Sequence, residues 1–146
     1  MIVQLPADEI ALPLIRRGVP ASAIYLADAF YALFTKKDVH ERLAPALTGV
    51  INGLNFTYQP DRRDCDDFAR LAAAWAGLLH SQQKVEDCGV AFGEVWCDAI
   101  AHAFCFAIHG VEREVVFYEP QLVGAFSLSE ISLGRRECES IRLIKV

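Results

Sequence analysis

No Cys-x-x-Cys pair occurs in this 146-residue chain, and its five cysteines, Cys65, Cys88, Cys97, Cys105 and Cys138, follow no framework spacing. That excludes the usual structural zinc sites and a thioredoxin-type redox motif. Basic charge is scarce: 14 Lys and Arg against 19 Asp and Glu leave a net charge of −5. The basic pairs Arg16-Arg17, Lys36-Lys37, Arg62-Arg63 and Arg135-Arg136 are scattered, with no stripe to neutralise phosphates, so a nucleic-acid partner is not expected. Residues Met1 to Leu14 carry Asp8 and Glu9 and lack the basic start and long apolar centre of a signal peptide. The apolar runs are too short and interrupted to span a bilayer, so no membrane partner is expected. No internal repeat, low-complexity segment or linker is present. Free thiols in such a chain point to a reducing, cytoplasmic setting.

What is present is a composition 53% hydrophobic and 23% charged, which suits one globular domain over 1–146 with a substantial core. The first half reads as helical. Ile24, Leu26, Ala27, Phe30, Tyr31 and Phe34 recur at helix-like intervals after Pro20-Ala21-Ser22. Asp38 followed by Glu41 resembles a capping box for a helix to about Val50. Asn52-Gly53 breaks that pattern, and Asn55 to Gln59 reads as extended. A third helix is expected from Cys65 to about Leu79, with Cys65, Ala69, Ala72, Ala76 and Leu79 on one face. In the second half, Gly89–Val95, Ala101–His109, Glu114–Tyr118 and Glu139–Val146 read as strands, and Gln121–Arg136 as loop. The fold class this implies is α+β, with N-terminal helices packed on an antiparallel sheet.

Asp64-Cys65-Asp66-Asp67-Phe68-Ala69 stands out. It follows a turn-rich loop, Tyr58 to Arg63, and sets a thiol in the first turn of a helix. Unpaired N–H groups and the positive end of the macrodipole favour thiolate there. The aspartates oppose this by like-charge repulsion, and a divalent cation on Asp66 or Asp67 would relieve it. First-turn aspartates also simply complement the dipole. On Ala101–Ile108, His102 shares a face with Phe104, Phe106 and Ile108. A hairpin turning about Gly110 sets His102 nearly opposite Glu119, close enough for a carboxylate to hold one ring nitrogen. Cys65, His102 and Glu119 are thus the candidate catalytic residues: nucleophile, base and orienting acid. Gln59 and Gln121 are candidate oxyanion or supporting groups. Cys88, Cys97, Cys105 and Cys138 read as core residues. His109 reads as solvated at a turn, and His40 and His80 as helical without acidic partners. Trp96 is a core or cleft-wall residue, and Glu94 and Asp98 are surface acids.

With Ala101-His102-Ala103 and Phe117-Tyr118-Glu119-Pro120-Gln121, the hexapeptide around Cys65 resembles the papain-like cysteine protease domain at the C-terminus of fungal chimerolectins of the Marasmius agglutinin type. The likeness covers roughly residues 55–125. It implies a papain-like/transglutaminase-like fold, a Cys-His-Glu triad and activation by calcium, with Asp66 and Asp67 as candidate ligands. The lectin's sugar-binding β-trefoil has no counterpart here. The function expected is a cysteine peptidase or related amide hydrolase, acting on a peptide or protein through a thioester. The alternatives are a transglutaminase-like acyl transferase or cell-wall amidase, a catalytically inactive papain-like module that binds a partner protein, and a non-catalytic calcium-binding domain.

Overall fold

The computed structural model describes residues 3–57, 59–60, 64–83, 88–121 and 128–146. The expected turn-rich loop at Tyr58–Arg63 therefore lies largely outside the described residues, as do residues 122–127 of the expected loop Gln121–Arg136. The remainder of that stretch is not all loop: it holds a strand at Ser129–Ile131 and the start of a helix at Arg135. Two sheets organise the rest. A three-stranded sheet has the order β1-β3-β4, from β1 (Gln4–Pro6), β3 (Phe30–Ala32) and β4 (Gly89–Val90). A six-stranded sheet has the order β2-β9-β5-β6-β7-β8. Its strands are β2 (Ile24–Tyr25), β9 (Ile141–Lys145), β5 (Phe92–Cys97), β6 (His102–His109), β7 (Glu114–Glu119) and β8 (Ser129–Ile131). All its pairs are antiparallel except β2 with β9.

Strand β6 explains the layering. Seven of its eight residues are buried, so both of its faces need covering. Phe104, Phe106 and Ile108 enter one core with Ile10 and Leu14 of α1 (Ala7–Arg16) and Cys138 of α5 (Arg135–Glu139). Ala103, Cys105 and Ala107 enter a second core with Ala69, Ala72 and Ala76 of α4 (Cys65–Ser81), and with Val39, Leu43 and Leu47. Alanine against alanine lets the helix approach the sheet closely, and each aromatic buried on the far side contributes about 1.5–3 kcal/mol.

The expectation of N-terminal helices on one antiparallel sheet is therefore corrected. The sheet is covered on both faces, and a second sheet stands beside it. The expected helix over Ala23–Phe34 is a 3₁₀ turn (Ala21–Ala23) followed by β2 and β3. Tertiary pairing decided this: β2 lies along β9, and β3 bridges β1 and β4, which overrides weak local periodicity. Helix α1, with Pro6 at its N-cap and Pro13 inside it, was not expected.

The next helix begins earlier than the sequence suggests. Thr35, not Asp38, is the cap: its Oγ1 accepts from the Asp38 N–H at 3.0 Å, and the Asp38 carboxylate accepts from the Thr35 N–H at 2.9 Å. The run continues through α2 (Lys36–Asp38), a π-helical turn (Val39–Leu43) and α3 (Ala44–Gly53). Pro45 has no N–H to offer the preceding turn, and the wider π turn accommodates the break.

His109 is not solvated. It is 4% exposed; its Nδ1–H donates to the Phe34 carbonyl at 2.6 Å, and its Nε2 accepts from the Tyr118 hydroxyl at 2.8 Å. Burial lowers its pKa and raises that of Tyr118, so both stay neutral at pH 7.

Strands β5 and β9 pass close together at Gly93, where an added Cβ would lie 2.2 Å from the Lys145 carbonyl oxygen. Gly93→Ala is expected to destabilise the protein by about 2–3 kcal/mol, read from urea denaturation. A change below about 0.5 kcal/mol would mean that the two strands separate easily.

Candidate functional site

Helix α4 begins at Cys65, as the sequence suggests, and Asp64 holds the N-cap in an extended conformation without a side-chain cap. Its first turn rests on the start of β6, where the Ala103 N–H donates to the Cys65 Sγ at 3.4 Å. His102, one residue earlier, and Cys65 line a single cleft of about 210 Å³. The His102 Nε2 lies 2.5 Å from the Glu119 Oε2. The other Glu119 oxygen accepts from the Gln121 backbone N–H at 2.9 Å. Glu119 thus holds the ring through Nε2.

The hairpin register differs from expectation. Cys105 faces Tyr118, and His109 faces Glu114, because the turn over residues 110–113 takes its positive φ at Arg113 as well as at Gly110. Glu119 therefore stands across from the neighbourhood of Phe104, and it meets His102 as a diagonal neighbour on the same face. Long side chains reach across that diagonal.

Gln121 reaches the site through its main chain. Gln59 is exposed and does not line the cleft.

Trp96 lines the cleft, one of the two places the sequence allowed it, and Asp98 and Arg142 stand with it; Asp98 was read only as a surface acid and Arg142 was missed. The β5–β9 register pairs Trp96 with Leu143 and Cys97 with Ile141, leaving Arg142 as the extra residue of a bulge. The bulge re-aims its side chain: its guanidinium stacks 5.2 Å from the Trp96 ring centre, and its Nε pairs with Asp98 at 3.1 Å. Arg70 stacks on the same indole at 5.5 Å. The Trp96 Nε1–H is buried with no acceptor. No sequence signal marked Arg142, since a bulge exists only once two strands are paired.

Asp64, Asp66 and Asp67 form an acidic cluster whose oxygens lie within 4.8 Å of one another. Arg70 answers part of this charge, 2.7 Å from Asp66 and 3.6 Å from Asp67. A hydrogen bond to the Asp64 carboxyl, with some burial, raises the pKa of Asp66. The Asp64 Oδ1 is buried without a partner. Glu94, expected at the surface, is buried, whereas Asp98 is exposed. No disulfide joins the cysteines; Cys97, Cys105 and Cys138 are buried, and Cys88 is half-buried beside His80.

No protein-family model and no curated protein matches the sequence. Two solved structures share the fold. One is described as a PSL1a–E64 complex, with TM-score 0.68 and 17% identity over 86% of this chain and 48% of that one. The other is Polyporus squamosus lectin bound to the human-type influenza-binding epitope Neu5Acα2-6Galβ1-4GlcNAc, with TM-score 0.68 and 16% identity over 95% of this chain and 47% of that one. The chain spans about half the length of each.

These matches correct the expectations built on the resemblance. The fold is shared with structures described as a fungal lectin and its complexes, not as a papain-like protease. The papain-like family and the papain-like/transglutaminase-like label are set aside on that finding. So are the cysteine peptidase or amide hydrolase, the acyl transferase and the inactive papain-like module. Among the described residues, no helix is long and apolar enough to cross a membrane.

In the neutral form of the ring, the carboxylate beside His102 holds the single proton on Nε2. Long-range ¹H–¹⁵N NMR should report that single tautomer, and Glu119→Gln should yield a mixture. A mixed population in the unsubstituted protein would mean that Glu119 does not set the ring.

Proposed function

We propose that this chain is a carbohydrate-binding module and that the cleft between α4 and β6 takes one sugar residue of a glycan. The observation that carries this reading is the lining of the cleft of about 210 Å³, where the Trp96 indole stands with Arg142, Asp98 and His102. Sugars offer many hydroxyl acceptors and donors, and a sialylated one adds a carboxylate suited to a guanidinium. An aromatic ring with a few charged side chains in a small concave site suits such a ligand. The lectin with the same fold binds a sialylated trisaccharide, which supports this class of ligand. In this reading His102, held by Glu119, and Cys65 contact the bound sugar, and Gln121 steadies Glu119.

The test is titration with Neu5Acα2-6Galβ1-4GlcNAc and with its component sugars, followed by NMR. Binding should weaken at least tenfold in Trp96→Phe and in Arg142→Ala, as expected for loss of about 1.4 kcal/mol or more. Absence of binding at millimolar sugar, or binding indifferent to both variants, would overturn the reading. So would release of amine from peptidyl amides that disappears in Cys65→Ala, because the cleft would then be a reaction centre.

We further propose that Asp64, Asp66 and Asp67 hold calcium, while Arg70 keeps its ion pair with Asp66. Three converging carboxylates suit a hard cation that takes oxygen ligands. Saturating calcium is expected to raise Tm by about 5 °C or more over the same protein in EGTA. Asp64→Asn should remove the difference, and equal Tm values with and without calcium would refute the site. The reducing, cytoplasmic setting is kept as part of the proposal, on the strength of five cysteines that no disulfide joins.

A further inference from the structure

A second and larger cavity, of about 410 Å³, opens between α4, the three-stranded sheet and β5. Its deep wall holds Glu94, which is 6% exposed and whose Oε2 is buried without a hydrogen-bond donor. The Arg70 Nε stands 3.6 Å away, too far for a hydrogen bond, and that guanidinium is already engaged by Asp66 at 2.7 Å. A carboxylate in this position lacks a donor that the protein does not supply.

Two further features keep the space open. Gly77 lies within α4, where glycine is the poorest helix former apart from proline. It lines the cavity, and a Cβ added there would meet nothing within 4 Å. At the mouth, a Cβ on Gly89 would lie 2.5 Å from the Asp28 Oδ2, so the missing side chain makes room for that carboxylate. Tyr31, Val90 and Phe92 supply an apolar wall. Asp28 and Glu94 line the space with Arg70 and Lys145, and Asp66 and Asp67, outside it, draw on the Arg70 guanidinium.

We propose that this cavity binds a small organic cation, a primary ammonium on an aryl-sized apolar body. The ammonium gives Glu94 its missing donor and faces Asp28, and the body packs on Phe92 and Tyr31, whose ring faces also favour positive charge. The site is separate from the glycan cleft, and the proposal stands without it.

The probes are phenethylammonium and its neutral counterpart 2-phenylethanol, titrated into the whole chain by NMR. The ammonium is expected to bind at least tenfold tighter than the alcohol and to shift resonances of Val90 and Phe92. Glu94→Gln should erase that preference. Gly77→Leu should fill the cavity and block both probes while the protein keeps its folded spectrum. Equal binding of the two probes would overturn the proposal, as would full binding by the Gly77→Leu protein or a lack of shifts at the cavity wall. Should Glu94→Gln fail to fold, the comparison of probes and the Gly77→Leu protein still decide.

Discussion

Strand β6 is apolar on both faces, and the need to bury both is the constraint on which the remaining architecture depends. Its phenylalanines and Ile108 demand α1 and α5 on one side, and its small residues demand α4 on the other. Because alanine and cysteine line the second face, α4 comes close enough for the Ala103 N–H to reach the Cys65 sulfur. The cleft forms where this close contact ends. His102 is the one residue of β6 not fully buried, so the strand delivers its imidazole to the rim of the interface. Close packing and a polar site are consequences of the same choice of small side chains.

The second organising device is Arg70. From one exposed turn of α4 it reaches Asp66, Asp67 and Glu94 and stacks on Trp96. It thereby stands between the acidic cluster, the cleft wall and the larger cavity. Exposed ion pairs of this kind contribute little to stability one at a time; their effect here is on local charge. Three carboxylates competing for one guanidinium leave an acidic surplus near the helix start and at Glu94, and both proposed cation sites draw on that surplus. Arg142, brought against the same indole by a bulge, gives the cleft its positive side.

Much of this was legible in residues. The start of α4 at Cys65 could be read from the Asp-rich turn, and its packing face from Ala69, Ala72 and Ala76. The strands β6 and β7 could be read as apolar runs bounded by turn residues, and the nearness of His102 to Glu119 from a hairpin about Gly110, though in a different register. Other elements were not legible. The short apolar run from Ile24 to Phe34 fits a helix or two strands equally well, and only β9, β1 and β4 decide between them. The capping residue lay three positions earlier than the Asp38–Glu41 pattern suggested, since Thr35 and Asp38 form the same reciprocal pair. His109 looked solvated because a turn follows it, but the Phe34 carbonyl and Tyr118 hydroxyl give it a buried home. The Gly93 contact with β9 and the burial of Glu94 have no local signature.

The sequence by itself determined which segments bury apolar surface, where the long central helix starts, and that a thiol, an imidazole and a carboxylate follow one another in chain order. Those properties depend on neighbours within a few residues, through helix periodicity, capping groups and strand alternation. Tertiary structure alone decided the hairpin register, the bulge that turns Arg142 toward Trp96, the second sheet, and the cavity around Glu94. Each of these arises from pairing between segments far apart in the chain, where a shift of one residue exchanges buried for exposed side chains. Local sequence carries no record of that choice.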